Sequence, residues 1–338
     1  MVTPPLVAPP VPVLLPPNQP ADRFYAGVAG LAAFRGVPGA GTHVPEDWVA
    51  STTPLFGEPE RGLARLLDGR LLRDALDADA VGWFGPAHVE AYGSAPEVLV
   101  KLLDAGERLP VHVHPDVPFA LRHLACPHGK TEAWVALAPA RVHLGFVRDV
   151  PADELARWVR GQDAAAMLAA MHALDLAAGD TVLVPAGLPH AIGAGALVVE
   201  LQEPTDLSVL LERDGFGVDG AADGHLGLGH GLALGAVDRR GWSAADVGAL
   251  RTARADDVGP LLPGAERWFR AERHRGPGRW DAGYAVLVVV AGAGTLTAAD
   301  GTTTPLAAGQ TWLVPHAAGV CRVAGADLEV LRCRPPLP

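Results

Sequence analysis

Lysine is nearly missing from this 338-residue chain. Only Lys101 and Lys130 stand among its 27 lysines plus arginines. Every other basic side chain is arginine, so surface arginines reflect composition and say little about function. Cysteine is scarce too. Cys126, Cys321 and Cys333 are odd in number and far apart, which excludes a disulfide framework and a zinc knot and points to a reducing cytoplasm. No basic block offsets the formal net charge of −11, which argues against nucleic acid or an anionic membrane surface as partner. Long unbroken apolar runs are also lacking. The N-terminal "MVTPPLVAPPVPVLLPP" is apolar but cut by prolines and has no charged start. It reads as neither a signal peptide nor a membrane span, and its prolines predict an extended arm laid over the first domain.

Apolar residues are plentiful, and 338 residues suffice for two domains or two lobes sharing a core. Short apolar runs between Gly/Pro turns predict strands: "EVLVKLLDA", "LPVHVHP", "TEAWVAL", "RVHLGFV", "TVLVPA", "ALVVELQE" and "LSVLLE". Their close spacing points to an all-β barrel or sandwich. A helix is predicted over 151–174, where Pro151 and early acids precede apolar residues at helical spacing, and another near 60–80. Residues 216–264, rich in Gly, Ala and Asp, read as linker and loops. Strands and hairpin turns return over 265–338. "GDTVLVPAGLPHAIG" is echoed there by "GQTWLVPHAAGV", which suggests two related lobes, the second degenerate. The first domain would then be 1–215.

His112 and His114 alternate, so a strand would aim both imidazoles at one face of a sheet. A metal ion is an economical way to satisfy two adjacent imidazoles, although one surface and one hydrogen-bonded core histidine would also fit. Two patterns favour the metal. Gly106 opens G-x5-H-x-H, and Gly179 opens G-x5-P-x-G-x2-H, ending at His190. Together they resemble the paired motifs of the cupin superfamily, which places metal ligands on neighbouring strands of a small β-barrel. The fold class this implies is mainly β: two cupin-like barrels or jelly rolls, the second degenerate, with a helical insertion. Cupins often carry a glutamate after H-x-H, and the nearest here is Glu132, after a long spacer. The resemblance implies His112, His114, Glu132 and His190 around one divalent metal. Zinc suits those ligands, as do manganese, cobalt, iron and nickel. The other ten histidines have no motif behind them.

The long spacer narrows the resemblance. "LVKLLDAGERLPVHVHPD", "GKTEAWVAL" and "GDTVLVPAGLPHAIGAGALVVELQEPTD" look like the type I phosphomannose isomerases, zinc-dependent cupins that interconvert mannose 6-phosphate and fructose 6-phosphate. The likeness is strongest over 97–206, and "PEDWVASTT" resembles the family's early active-site strand. It implies a metal-dependent isomerase of a small sugar or sugar phosphate. Its functional residues fall on Lys101, Lys130, Glu200 and Asp206, with Ser51, Thr52 and Thr53 as candidate phosphate or hydroxyl binders.

Two positions depart from the family. His112 stands where glutamine is usual; histidine can still ligate there, which shifts the ligand set towards the general cupin pattern. Leu210 stands where the family has a catalytic arginine, which leaves Arg213, three residues on, as the candidate to replace it. Both surviving lysines fall within these motifs. Lysine is a compact ammonium with a movable pKa, and the forked, permanently charged arginine does not substitute for it beside a metal or a sugar oxygen. An isomerase of another, unphosphorylated sugar, an iron-dependent oxygenase and a non-catalytic sugar-binding cupin are the competing readings.

Overall fold

The computed structural model describes residues 9, 11–219, 223–253 and 259–338. Residues 1–8 and 10, most of the proline-rich arm, lie outside it. The architecture is mainly β, with four antiparallel sheets in two lobes. In the first lobe one sheet runs Arg251–Thr252, Thr181–Val184, Glu132–Ala136, Leu197–Gln202, Leu99–Asp104, Glu46–Val49. The sheet facing it runs Val209–Leu210, His112–Val113, His190–Ile192, Ala140–Phe146, Met171–Leu176. The side chains between them, among them Leu103, Trp134, Val142, Leu144 and Val198, are fully or almost fully buried. Each such aliphatic side chain contributes about 1.5–3 kcal/mol.

The second lobe repeats the order. Thr311–Val314, Ala285–Ala291, Glu329–Arg334 and Arg270–Arg275 lie side by side, as do Gly278–Trp280, Cys321–Ala324, Ala293–Thr297 and Thr303–Ala307. Strand for strand, these match the first lobe's 181–184, 132–136, 197–202 and 99–104, and then its 112–113, 190–192, 140–146 and 171–176. The echoed motif segments, Thr181–Val184 and Thr311–Val314, occupy the same place in their sheets. Each lobe is a two-sheet sandwich, and no hydrogen-bonded closure into a barrel occurs among the described residues. The lobes join back to back. The outer faces of two sheets, with Val100, Val135 and Leu201 from one and Val286, Val288 and Leu331 from the other, share a core with helices Leu72–Ala78 and Ala80–Phe84.

Several local expectations change. The arm's Val13–Leu14 pairs with Trp312 and Leu313, so this part of it extends a sheet of the second lobe, while Leu15 joins the core that both lobes share. The 151–174 helix is two, Ala152–Gly161 and Ala164–Ala169, followed by the strand Met171–Leu176. The break falls at Gln162, whose φ is 50°, and Asp163 caps the second helix by accepting from the Ala166 N–H. The alternation in "MHALDL" then pairs with Ala140–Phe146. Near 60–80 only residues 72–78 are helical, with Ala80–Phe84 following. Residues 216–264 do more than connect: Val247 is buried in the core between the sheets, Phe216 and Trp242 pack against that core, and Arg251–Thr252 edges the first sheet. No helix among the described residues is long and apolar enough to cross a membrane.

Candidate active site

The site forms on the inner faces of the first lobe's sheets. Gly106 permits the approach to it: a Cβ there would lie 2.5 Å from the backbone carbon of Gly27, so the chain entering the lobe crosses the loop before His112 without room for a side chain. His112 and His190 then face each other as a ladder pair, and His114 follows just past the strand end. The three ring centroids are 4.1–5.0 Å apart.

Each ring is oriented the same way. Nδ1 of His112 lies 2.8 Å from the Pro110 carbonyl, that of His114 2.8 Å from Leu207 O, and that of His190 2.8 Å from Leu188 O. A carbonyl only accepts, so each Nδ1 carries the proton and each Nε2 presents a lone pair. Ligand atoms of the three histidines converge within 4.8 Å of one another. Glu132 joins them, with Oε2 at 3.0 Å from His114 Nε2 and Oε1 at 3.3 Å from His190 Nε2. His190 Nε2 is buried and makes no hydrogen bond. Lone pairs of imidazole facing a carboxylate in a buried place are acceptor against acceptor, an arrangement that a divalent cation satisfies. The protonation states agree. Burial, helped by cationic His190 and His114 were they charged, pushes His112 well below its ordinary range. Burial and the Lys130 ammonium bring His114 to about 3. Burial alone would raise Glu132, but the Lys130 ammonium outweighs it and holds the carboxyl well below the usual range. Neutral imidazoles and an ionised carboxylate are the forms that bind metal.

The floor beside this cluster is one rung of the sheet. Trp134 pairs with Glu200, Glu200 with Lys101 and Lys101 with Trp48. Lys101 Nζ lies 3.7 Å from Glu200 Oε1 and 4.5 Å from the Trp48 ring centre. Lys130 Nζ is 2.5 Å from Glu132 Oε2, 2.8 Å from His114 Nε2 and 3.4 Å from Glu200 Oε1. Burial opposes its charge, but Glu132 and Glu200 prevail and raise it. Burial also raises Glu200, against the pull of Lys101 and Lys130. Trp134 Nε1 donates to Glu132 Oε1 at 3.0 Å and fixes that carboxylate.

Of the residues expected at the site, His112, His114, Lys101, Lys130, Glu132, Glu200 and Asp206 line one inner cavity of about 40 Å³, and His190 faces His112 beside it. Ser51 is instead turned to the Thr53 carbonyl, and neither Ser51 nor Thr52 lines this cavity or the one outside it. Arg213 is drawn to the end of a helix: its Nη2 lies 3.4 Å from Val159 O and its backbone N–H donates to Gln162. It lines neither cavity.

Among the lining residues not anticipated, three form a polar cluster. Arg23, Tyr25 and Glu46 line the inner cavity. Tyr25 Oη donates to Glu46, as does Trp48 Nε1. Burial would raise the Glu46 carboxyl, but Arg23 and Lys101 hold it at about 2. The signal was the alternation in "PEDW", which puts Glu46 and Trp48 on the face that carries Lys101. A second chamber of about 280 Å³ opens outward. It shares Arg23, Phe24, Asp206 and Ser208 with the inner one, so the two are adjacent.

Comparison with known proteins agrees with this geometry. No family model matches the chain. It is 33% identical over 135 residues to the mannose-6-phosphate isomerase of Streptococcus mutans, covering 35% of this chain and 38% of that one. It is 32% identical over 117 residues to the mannose-6-phosphate isomerase ManA of Bacillus subtilis, covering 34% and 36%. The match thus spans under two-fifths of these curated relatives. Over the whole fold, a variant of phosphomannose isomerase from Salmonella typhimurium superposes with a TM-score of 0.71 at 16% identity, covering 97% of this chain and 100% of that one. The mannose 6-phosphate isomerase from Bacillus subtilis gives 0.66 at 18% identity, covering 96% and 99%. At such identities the structures establish the fold. The resemblance to phosphomannose isomerases read from the sequence is borne out, with this chain a divergent relative.

Proposed function

We propose that the chain is a metal-dependent aldose–ketose isomerase that moves a proton between C1 and C2 of a mannose-type sugar through an enediol intermediate. The observation that carries this is the convergence of three lone-pair-bearing Nε2 atoms and Glu132 beside two buried lysines. His112, His114, Glu132 and His190 would hold one divalent ion, zinc suiting the donor set best. Bound there, the ion would polarise the carbonyl and hydroxyl oxygens at C1 and C2.

The chain's own residues supply the rest. Glu200 is the buried carboxylate between the two lysines, on the cavity floor, and is the candidate to carry the proton. Lys101 and Lys130 donate to substrate oxygens and stabilise negative charge as it develops. Asp206, at the junction of the chambers, accepts from sugar hydroxyls. An inner cavity of about 40 Å³ admits only the reacting end, which leaves the body of the sugar in the outer chamber. The reference substrate is mannose 6-phosphate, named for the relatives.

The test is a coupled assay of aldose-to-ketose conversion with protein loaded separately with zinc, manganese, cobalt and iron, using mannose 6-phosphate and mannose. Turnover that His114→Ala abolishes supports the proposal. Folded, metal-loaded protein without turnover on either sugar contradicts it.

A further inference from the structure

The reacting end of a sugar and its far end meet different chemistry. The inner cavity is rich in charge of both signs, whereas among the described residues the outer chamber is lined by one cation. Its wall is apolar, with Phe24, Leu55, Phe56, Leu210 and Leu226. Its other charged side chains are carboxylates: Asp22, Asp206, Asp223 and Glu58, the last paired with Arg61 at 2.6 Å.

The single cation is Arg23, and it is already engaged. Its Nε lies 3.5 Å from Glu46 Oε1, its Nη2 3.8 Å from Asp206 Oδ1, and its guanidinium sits 5.7 and 5.8 Å from the Phe24 and Trp48 ring centres. A phosphate drawn to Arg23 would stand beside two carboxylates. The position from which an arginine would reach into this chamber carries Leu210, paired with His112 in the sheet and 4% exposed. Arg213 points away to Val159 O.

A phosphate dianion is recognised by converging cations and N–H donors. Carboxylates that accept from hydroxyls, set in an apolar wall that covers C–H faces, suit a neutral polyol, and like charges that lose solvent repel.

We infer that this site selects a sugar whose end remote from the metal ligands is uncharged, and that Leu210 and the carboxylates of the outer chamber discriminate against the 6-phosphate. The inference rests on the proposed isomerase site and names its substrate class.

Calorimetry on the zinc-loaded full chain with mannitol and mannitol 1-phosphate tests it without turnover. The expected result is mannitol binding at least about tenfold more tightly. Equal or tighter binding of the phosphate overturns the inference, as does binding of neither, which also overturns the site. Leu210→Arg is expected to move the preference about tenfold towards the phosphate. An unchanged preference in folded Leu210→Arg overturns the role of Leu210. Conversion of mannose and of mannose 6-phosphate to the ketose, followed by NMR, separates the two claims. Polyol preference without conversion of either sugar sinks the isomerase and keeps the ligand class. Conversion with phosphate preference does the reverse.

Discussion

In the first lobe the cross-strand pair His112 and His190 faces the interior, and at the matching pair of the second lobe stand Trp280 and Cys321. The substitution continues along the sheets. Glu132 pairs with Val184, whereas Ala285 pairs with Val314. The rung Trp134, Glu200, Lys101 becomes Leu287, Arg332, Glu272, with the charges of the ion pair exchanged. One topology thus builds two interiors. Where imidazoles and a carboxylate converge, the first lobe holds acceptors for a cation. At the same register the second has a tryptophan, a buried thiol and a methyl group, all within one hydrophobic cluster. Its arginines, Arg332 and Arg334, are neutralised within the lobe by Glu272 and Asp281. Among the described residues the cluster able to hold a metal ion lies in the first lobe, and the second lobe contributes an outer sheet face to the shared core.

The sharpest way to break this contrast is to remove equivalent residues. His112→Ala should lower zinc affinity more than about a hundredfold, beyond the usual loss of a ligand's outer partner, and abolish turnover. Metal analysis after dialysis checks it. Trp280→Ala should leave the bound zinc at its original stoichiometry but cost about 3–5 kcal/mol of stability, read by urea denaturation. Loss of metal in Trp280→Ala would mean that the lobes are not separable in this way.

Acid titration sharpens the contrast further. Burial would raise Glu272, but His274, Arg332 and Arg334 lower it from 4.5 to about 2. A carboxyl depressed in the folded state contributes stability that is complete above pH 4.5 and is lost as pH falls towards 2. The full contribution is about 3 kcal/mol. Glu272→Gln should therefore flatten the fall in stability between pH 4.5 and 2, measured by denaturation at pH 6, 4 and 3. A parallel fall in the variant would remove Glu272 from the account. The smallest effect is expected for Arg213→Met. Because Arg213 lines neither chamber, kcat and KM should stay within about twofold of the parent.

Much of the site was legible because its signals are short in sequence. H-x-H, the glycines before it and the "GKTE" lysine–glutamate pair each declare a face by period two, and the Gly-x5-Pro echo marked the repeat. The strand order then brought these pieces together as their spacing implied. Arg23 was not legible, since its partners Glu46 and Asp206 lie 23 and 183 residues away with no shared motif. The helix over 151–174 was overextended because "MHALDL" offers apolar residues at both helical and alternating spacing. Pairing with Ala140–Phe146 decided between them. The arm's prolines announce extended backbone, but which sheet edge Val13–Leu14 joins is a tertiary matter.

The central claim is tested most directly by titrating metal-free protein with zinc while following aldose-to-ketose conversion. The account predicts activity that rises linearly to one zinc per chain and then stops. Activity indifferent to zinc, or rising until two ions are bound per chain, would contradict it.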